Sequence, residues 1–205
     1  MRMKIMKTGF VVAVIAISVL LPSCSGNSTN NPPTTESASQ LVNDGWQAFA
    51  GQNYSTALSK FTAALRLDAT LVDGYNGAGW SDVRLNLLAN AMTEFNAGKS
   101  RDTTNVDIWA GLAFVNNAQK NYTASIADAQ SVLQKNSHWF FERDTTVNIS
   151  DVTVVLAEDY FSTADFDSSL EAVQSLDASF RADVSTLAGQ SALAQEIEIL
   201  RNLYN

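Results

Sequence analysis

The sequence predicts an all-α chain of stacked helix hairpins, and three observations carry that prediction. Gly45, Gly79 and Ala113 fall 34 residues apart, and each is followed at once by a large aromatic, Trp46, Trp80 and Phe114. Within a period, apolar residues recur at helical spacing in two runs, as in Leu41, Trp46, Phe49 and then Tyr54, Leu58, Phe61, Leu65, with Gly51-Gln52-Asn53 breaking them apart. The chain has one cysteine, so its stability must come from packing rather than from disulfides or a zinc cluster. A period of this length is too long for a helix-turn pattern and too short for a domain. It marks a supersecondary unit repeated along a stack.

The first residues carry Arg2, Lys4 and Lys7, then an apolar run from Phe10 to Leu21 that ends at Leu21-Pro22-Ser23-Cys24. This is the anatomy of an export signal, and the apolar run is short of the roughly 20 residues that span a bilayer. Its end resembles a bacterial lipobox, with Leu21, Ser23 and Cys24 at minus three, minus one and plus one; Pro22 stands where a small or β-branched residue is more usual. The resemblance implies residues 1–23 as a signal peptide and Cys24 as the lipidated N-terminus, anchored by two or three acyl chains at about 0.8 kcal/mol per buried CH₂. Residues 24–40 hold the polar run SGNSTNNPPTTESASQ, expected to be a disordered tether with a reach of about 20 Å.

Residues 41–205 are expected to form the helical domain. Numbering Ala38 as position one, Gly45 falls at eight, Tyr54 at seventeen, Ala57 at twenty, Phe61 at twenty-four and Ala64 at twenty-seven. The copy from Val72 places Tyr75 at position four, with Gly79, Leu88, Ala91, Phe95 and Gly98 in the same five places, and the copy from Val106 places Trp109 at position four, with Ala113, Tyr122, Ser125, Ala129 and Val132 in those five. This pattern resembles the tetratricopeptide repeat (TPR). It implies an α-solenoid of about four hairpins, at residues 38–71, 72–105, 106–139 and 150–178, plus a C-terminal capping helix at 183–204. The glycines cost about 1 kcal/mol each inside a helix relative to alanine, so a partner must need the space; Ala57 and Ala91 are the expected opposing faces. The chain departs from the repeat in lacking proline at the repeat ends, where Ala69, Thr103 and Ser137 stand, and in placing polar Asp44 and Asp82 where apolar residues are common.

The fourth copy is displaced. Leu156-Ala157 with Tyr160, Phe166 and Ser169 repeats the pattern, but Ala157 lies 44 residues after Ala113, so ten extra residues sit in the connection. The aromatic and β-branched segment Trp139 to Ile149 reads as a long loop or a small hairpin. In the last stretch Val184, Leu187, Leu193, Ile197, Leu200 and Leu203 share one helical stripe.

The resemblance also implies a concave groove lined by the first helix of each repeat. Its positions nine, twelve and thirteen carry Trp46, Trp80, Phe114 and Glu158; Phe49, Val83, Asn117 and Phe161; and Arg84. The expectation is an open aromatic column that binds a peptide or protein partner. The alternative is that these rings are covered internally, by neighbouring repeats or by the insertion folding back into the groove. The Lys, Asn and Arg set with which some of these repeats clamp C-terminal carboxylates is absent, since Val42, Trp46, Gly77, Asp107 and Gly111 stand in the matching region.

Catalysis has little to build on. His138 is the sole histidine and sits at a helix end, and Asp165, Asp167 and Glu171 cluster at a helix start, where carboxylates are favoured by the macrodipole. No metal-ligand spacing and no cofactor motif is visible. Without the signal, ten basic residues face 21 acidic ones, a net charge of −11, which disfavours nucleic acid and anionic lipid surfaces. The expectation is therefore a non-enzymatic, lipid-anchored scaffold of the bacterial cell envelope with no cofactor. If the host has two membranes, the outer membrane facing the periplasm is favoured, because Ser25 follows the cysteine in place of a retaining aspartate. A second expectation is a glycan-binding accessory protein in which Trp46 and Trp80 stack on sugars beside Asp73, Asn76 and Asn117.

Overall fold

The structure, a computed structural model, describes residues 36–204; the expected signal segment, Cys24 and the tether as far as residue 35 lie outside the described residues. The described residues form four helix hairpins, α1 (Ala38–Ala50) with α2 (Tyr54–Leu67), α3 (Val72–Arg84) with α4 (Leu88–Lys99), α5 (Val106–Ala118) with α6 (Tyr122–Lys135), and α7 (Ile149–Ser162) with α8 (Phe166–Leu176). A last helix, α9 (Leu187–Tyr204), packs on α7 and α8. None of the described helices is long and apolar enough to cross a membrane.

Each odd-numbered helix packs on the next odd one, α1 on α3, α3 on α5, α5 on α7 and α7 on α9, whereas α2, α4, α6 and α8 do not touch one another. That asymmetry curves the stack and puts the odd helices on its inner side. Within each hairpin the turn residue at the same register, Gln52, Asn86, Lys120 or Ala164, takes a left-handed backbone with φ of 58 to 62°. The next amide reaches back across the helix end, as Asn53 N donates to Ala48 O at 2.9 Å and Asp165 N to Tyr160 O at 2.9 Å, closing a Schellman motif. No glycine stands at any of these four positions, although the conformation favours one.

The tight approach of the hairpins is centred on two phenylalanines rather than on the alanine faces that the sequence points to. A Cβ added at Gly45 would meet the Phe61 ring at 2.7 Å, and one at Gly77, in the next repeat, would meet the same ring at 2.2 Å. Phe95 is held in the same way between Gly79 at 2.5 Å and Gly111 at 2.3 Å. Both rings are fully buried, so each glycine pair makes a slot for one ring and welds one repeat to the next. In the third and fourth repeats Ser125 and Ser169 replace Ala57 and Ala91, and each hydroxyl donates to the facing carbonyl, Ala113 O or Ala157 O, at 2.8 Å.

The missing prolines have a substitute. At Asp68-Ala69-Thr70, Asp102-Thr103-Thr104 and Asp177-Ala178-Ser179 the aspartate accepts from both the amide and the hydroxyl two residues on, at 2.9 and 2.6 Å in the first case. Asp68 and Asp177 are the C-caps of α2 and α8, and Asp102 follows Ser100, the C-cap of α4, by two residues, so these Asx turns set the exit direction. The hydrogen bonds from Thr70, Thr104 and Ser179 hold the three carboxyls below their ordinary range. Another such turn, at Asp183 and Ser185, consumes the first residues of the expected capping segment. The helix therefore begins at Leu187, four residues late.

Candidate functional site

The connection between α6 and α7 folds inward, onto the concave side. Ile149 N donates to Trp139 O and Phe141 N to Val147 O, both at 2.8 Å, and Phe140 bridges Asn148 in the antiparallel sense. The insertion is thus a tight loop pinned at its neck. Asp144 and Thr146 form one more Asx turn at its tip.

This loop corrects the expected open column. Phe141 is fully buried and stacks on Trp80, with its centroid also 6.1 Å from that of Trp46 and 5.9 Å from that of Phe49 in edge-on contacts. Trp46 is 5 % exposed, Trp80 2 % and Phe49 2 %, so none of them offers a free face. The physical reason is the ten-residue insertion, which supplies an aromatic to a row of aromatics; burying one such ring stabilises by about 1.5 to 3 kcal/mol.

Polar contacts fix the loop in register. Trp46 Nε1 donates to Asp73 at 3.0 Å, and Trp139 Nε1, from the loop, donates to Asp107 at 2.8 Å. Burial raises the Asp107 carboxyl above its ordinary range, opposed by the bonds from Trp139 and Asn76. The Arg143 guanidinium lies over the Trp46 ring, 4.8 Å from its centroid, and Arg84 pairs with Asp144. The Asp73 and Asn76 expected to flank a sugar are therefore engaged within the protein.

Beyond the loop the groove stays open. One cavity of about 280 Å³ lies between α3, α4, α5 and the loop, with Val83, Arg84, Leu88, Phe114 and Val147 among its walls. A second, of about 310 Å³, continues toward α9 along Asn117, Val154, Val155, Glu158, Arg201 and Tyr204. Phe114 and Asp151 border both. Of the residues expected from the sequence, Val83, Arg84, Phe114, Asn117 and Glu158 line these cavities, while Trp80 shows only an edge of its stacked ring to the first. Phe161 packs edge-on against Phe166 instead and borders neither cavity. Sequence reasoning missed Leu88, Asp151, Val155, Arg201 and Tyr204, which the superhelix brings together from three separate helices, α4, α7 and α9. Only the surplus of aromatics in the insertion pointed to the loop as a groove occupant.

Two buried carboxylates lie on the groove helices themselves, Asp82 on α3 and Asp159 on α7. Asp82 and Asp159 are 2 % and 0 % exposed, and one oxygen of each has no hydrogen-bond partner. Burial pushes both carboxyls up to about 6, with Glu94 adding to the effect at Asp82 and Glu158 at Asp159. Asp159 keeps one bond, from Asn117 Nδ2 at 2.8 Å. In the third repeat the positions of Asp82 and Glu94 hold Asn116 and Asp128, which hydrogen-bond at 2.8 Å. As for candidate catalytic groups, His138 is exposed beside Ser137, and Asp165 caps α8 by accepting from Ser168 N at 3.2 Å. Among the described residues no group of three or more His, Cys, Asp or Glu could hold a metal ion.

No protein-family model and no curated protein matches the chain in sequence. Solved structures do match in shape. YrrB, described as a TPR protein with an unusual peptide-binding site, is 14% identical over 80% of this chain and 87% of its own, with a TM-score of 0.64. The MamA protein is 18% identical over 82% of this chain and 85% of its own, with a TM-score of 0.60. A tetratricopeptide repeat protein from Parabacteroides merdae is 13% identical over 82% and 61%, with a TM-score of 0.57. The fold of this chain is that of the tetratricopeptide-repeat solenoids.

Proposed function

We propose that this chain, built as a tetratricopeptide-repeat solenoid, is a non-enzymatic scaffold that binds a peptide segment of a protein partner in the open half of its concave groove. The observation that carries the reading is that the two cavities share Phe114 and Asp151 as walls, which sets them side by side along the groove. The structural likeness to YrrB, with its peptide-binding site, supports it. The test is selection of binders from a displayed random peptide library against the full chain. Selected peptides should lose affinity about tenfold or more for Val155→Glu, which places a charge on the cavity wall, and keep it for Phe140→Ser on the outside of the loop. Equal binding by both variants would move the site off the groove.

We further propose attachment to the bacterial cell envelope through lipid on Cys24, on the strength of the lipobox-like Leu21-Pro22-Ser23-Cys24 and the polar stretch that follows. In a host with two membranes the outer membrane is the expected address. Palmitate labelling of the wild type, lost in Cys24→Ser together with membrane sedimentation, is the expected result. A wild-type chain that takes up no label contradicts it. The glycan alternative finds no support, because the two tryptophans it needs are covered by Phe141.

A further inference from the structure

Taking the open half of the groove as the peptide site, we propose that its preferred ligand is an extended segment with a lysine or arginine between two apolar side chains. The cation would sit against Asp151, and the apolar groups would fill the cavities on either side of it. This inference rests on the peptide-binding reading above and adds the chemistry of the partner.

Phe114 and Asp151 border both cavities, so any ligand that fills the two must cross over them. On one side the walls are apolar through Val83, Leu88 and Val147, and on the other through Val154, Val155 and the ring of Tyr204. Each side therefore takes an apolar side chain, and the point between them carries a carboxylate.

The charges around the groove differ in what they have left to offer. Arg84 is paired with Asp144, and Arg201 with Glu158 and Glu198. Asp151 has no cationic partner among the described residues. It accepts from Asn148 N at 2.7 Å as part of the α7 capping box, and burial, with the nearby charge of Asp144, raises its carboxyl above the ordinary range. A partly desolvated carboxylate with free acceptor capacity is stabilised by an incoming ammonium or guanidinium and destabilised by a second carboxylate. The long-range field acts in the same direction, since residues 36–204 hold ten basic against 21 acidic side chains.

The test is calorimetric titration of the full chain with three blocked peptides, Ala-Leu-Lys-Phe-Ala and its counterparts with Gln or Glu in place of Lys, at low and high salt. The expected order is Lys, then Gln, then Glu, with about tenfold between the extremes and a narrower gap at high salt. Asp151→Asn retains an oxygen for the Asn148 amide, so the helix cap survives, as a thermal melt would verify. In that variant the preference for lysine should vanish. Equal affinities, a preference for Glu, or a lysine preference that persists in Asp151→Asn would overturn the cation site while leaving the groove as a peptide site. Failure of all three peptides to bind would count against the peptide reading itself.

Discussion

The Phe141 ring lies flat on Trp80, centroids 4.3 Å apart and planes 20° apart, so the chain fills the aromatic half of its own groove. The loop that carries Phe141 also reaches Trp46 of the first repeat through Arg143 and Arg84 of the second through Asp144. The N-terminal part of the concave face is core, and the surface left for a partner begins where the loop ends.

Phe141→Ala should therefore behave as a core truncation and not as a loop change. The expected loss is about 3 kcal/mol, read from urea denaturation, against about 1 kcal/mol for Phe141→Leu. A neutral alanine variant would mean that the ring is not seated.

Gly77 and Gly51 should respond very differently to one added methyl group. At Gly77 a Cβ would lie 2.2 Å from Phe61, whereas at Gly51 the nearest atoms are backbone oxygens at 3.5 Å. Gly77→Ala should cost about 2 kcal/mol or more and Gly51→Ala less than about 0.5 kcal/mol. Combining Gly77→Ala with Phe61→Leu should recover part of the loss, because the smaller side chain vacates the slot.

Ala164 holds a left-handed conformation, φ 62°, at the turn between α7 and α8. A side chain there costs about 1 kcal/mol relative to glycine. Ala164→Gly should raise stability by about that amount, a gain of a few degrees in melting temperature, while a decrease would show that the turn is not left-handed in solution.

The buried carboxyls of Asp82 and Asp159 give stability a pH dependence of defined sign. Their folded values near 6 lie above the unfolded value near 4, so folding takes up protons between those limits. Their contribution is favourable below about pH 4, is lost as pH rises toward 6, and stays unfavourable above it. Asp82→Asn should stabilise the protein at pH 7.5 by about 1 to 2 kcal/mol and have little effect near pH 4. Chemical denaturation at the two pH values checks this.

The repeat was legible because its period is set by local sterics. The 34-residue spacing of Gly45, Gly79 and Ala113 reads directly as stacked hairpins, and the hairpins are there. What the glycines face was only half legible, because Gly77 and Gly111 contact the phenylalanine of the preceding repeat, a relation invisible in a register counted within one repeat. The Asp-x-Thr and Asp-x-Ser turns that replace proline were in plain view but carry meaning only once each helix end is located. The groove residues of the first helices were legible as positions. Their exposure was not, because it depends on where a ten-residue insertion lands, and nothing local to Trp139–Asn148 encodes that. Asp151 and Arg201 meet at one cavity only through the superhelical placement of α7 and α9.

Tryptophan accessibility reports on whether the loop fills the aromatic half of the groove. Trp46, Trp80 and Trp139 are each 5 % exposed or less, while Trp109 is half-buried on the outside beneath Lys99. In Trp109→Phe only the three groove tryptophans emit. Acrylamide should quench this variant at least about fivefold less in buffer than in guanidinium. Quenching in buffer close to the unfolded value would mean that the rings stand open in the groove, and the self-occupied half proposed for it would not exist.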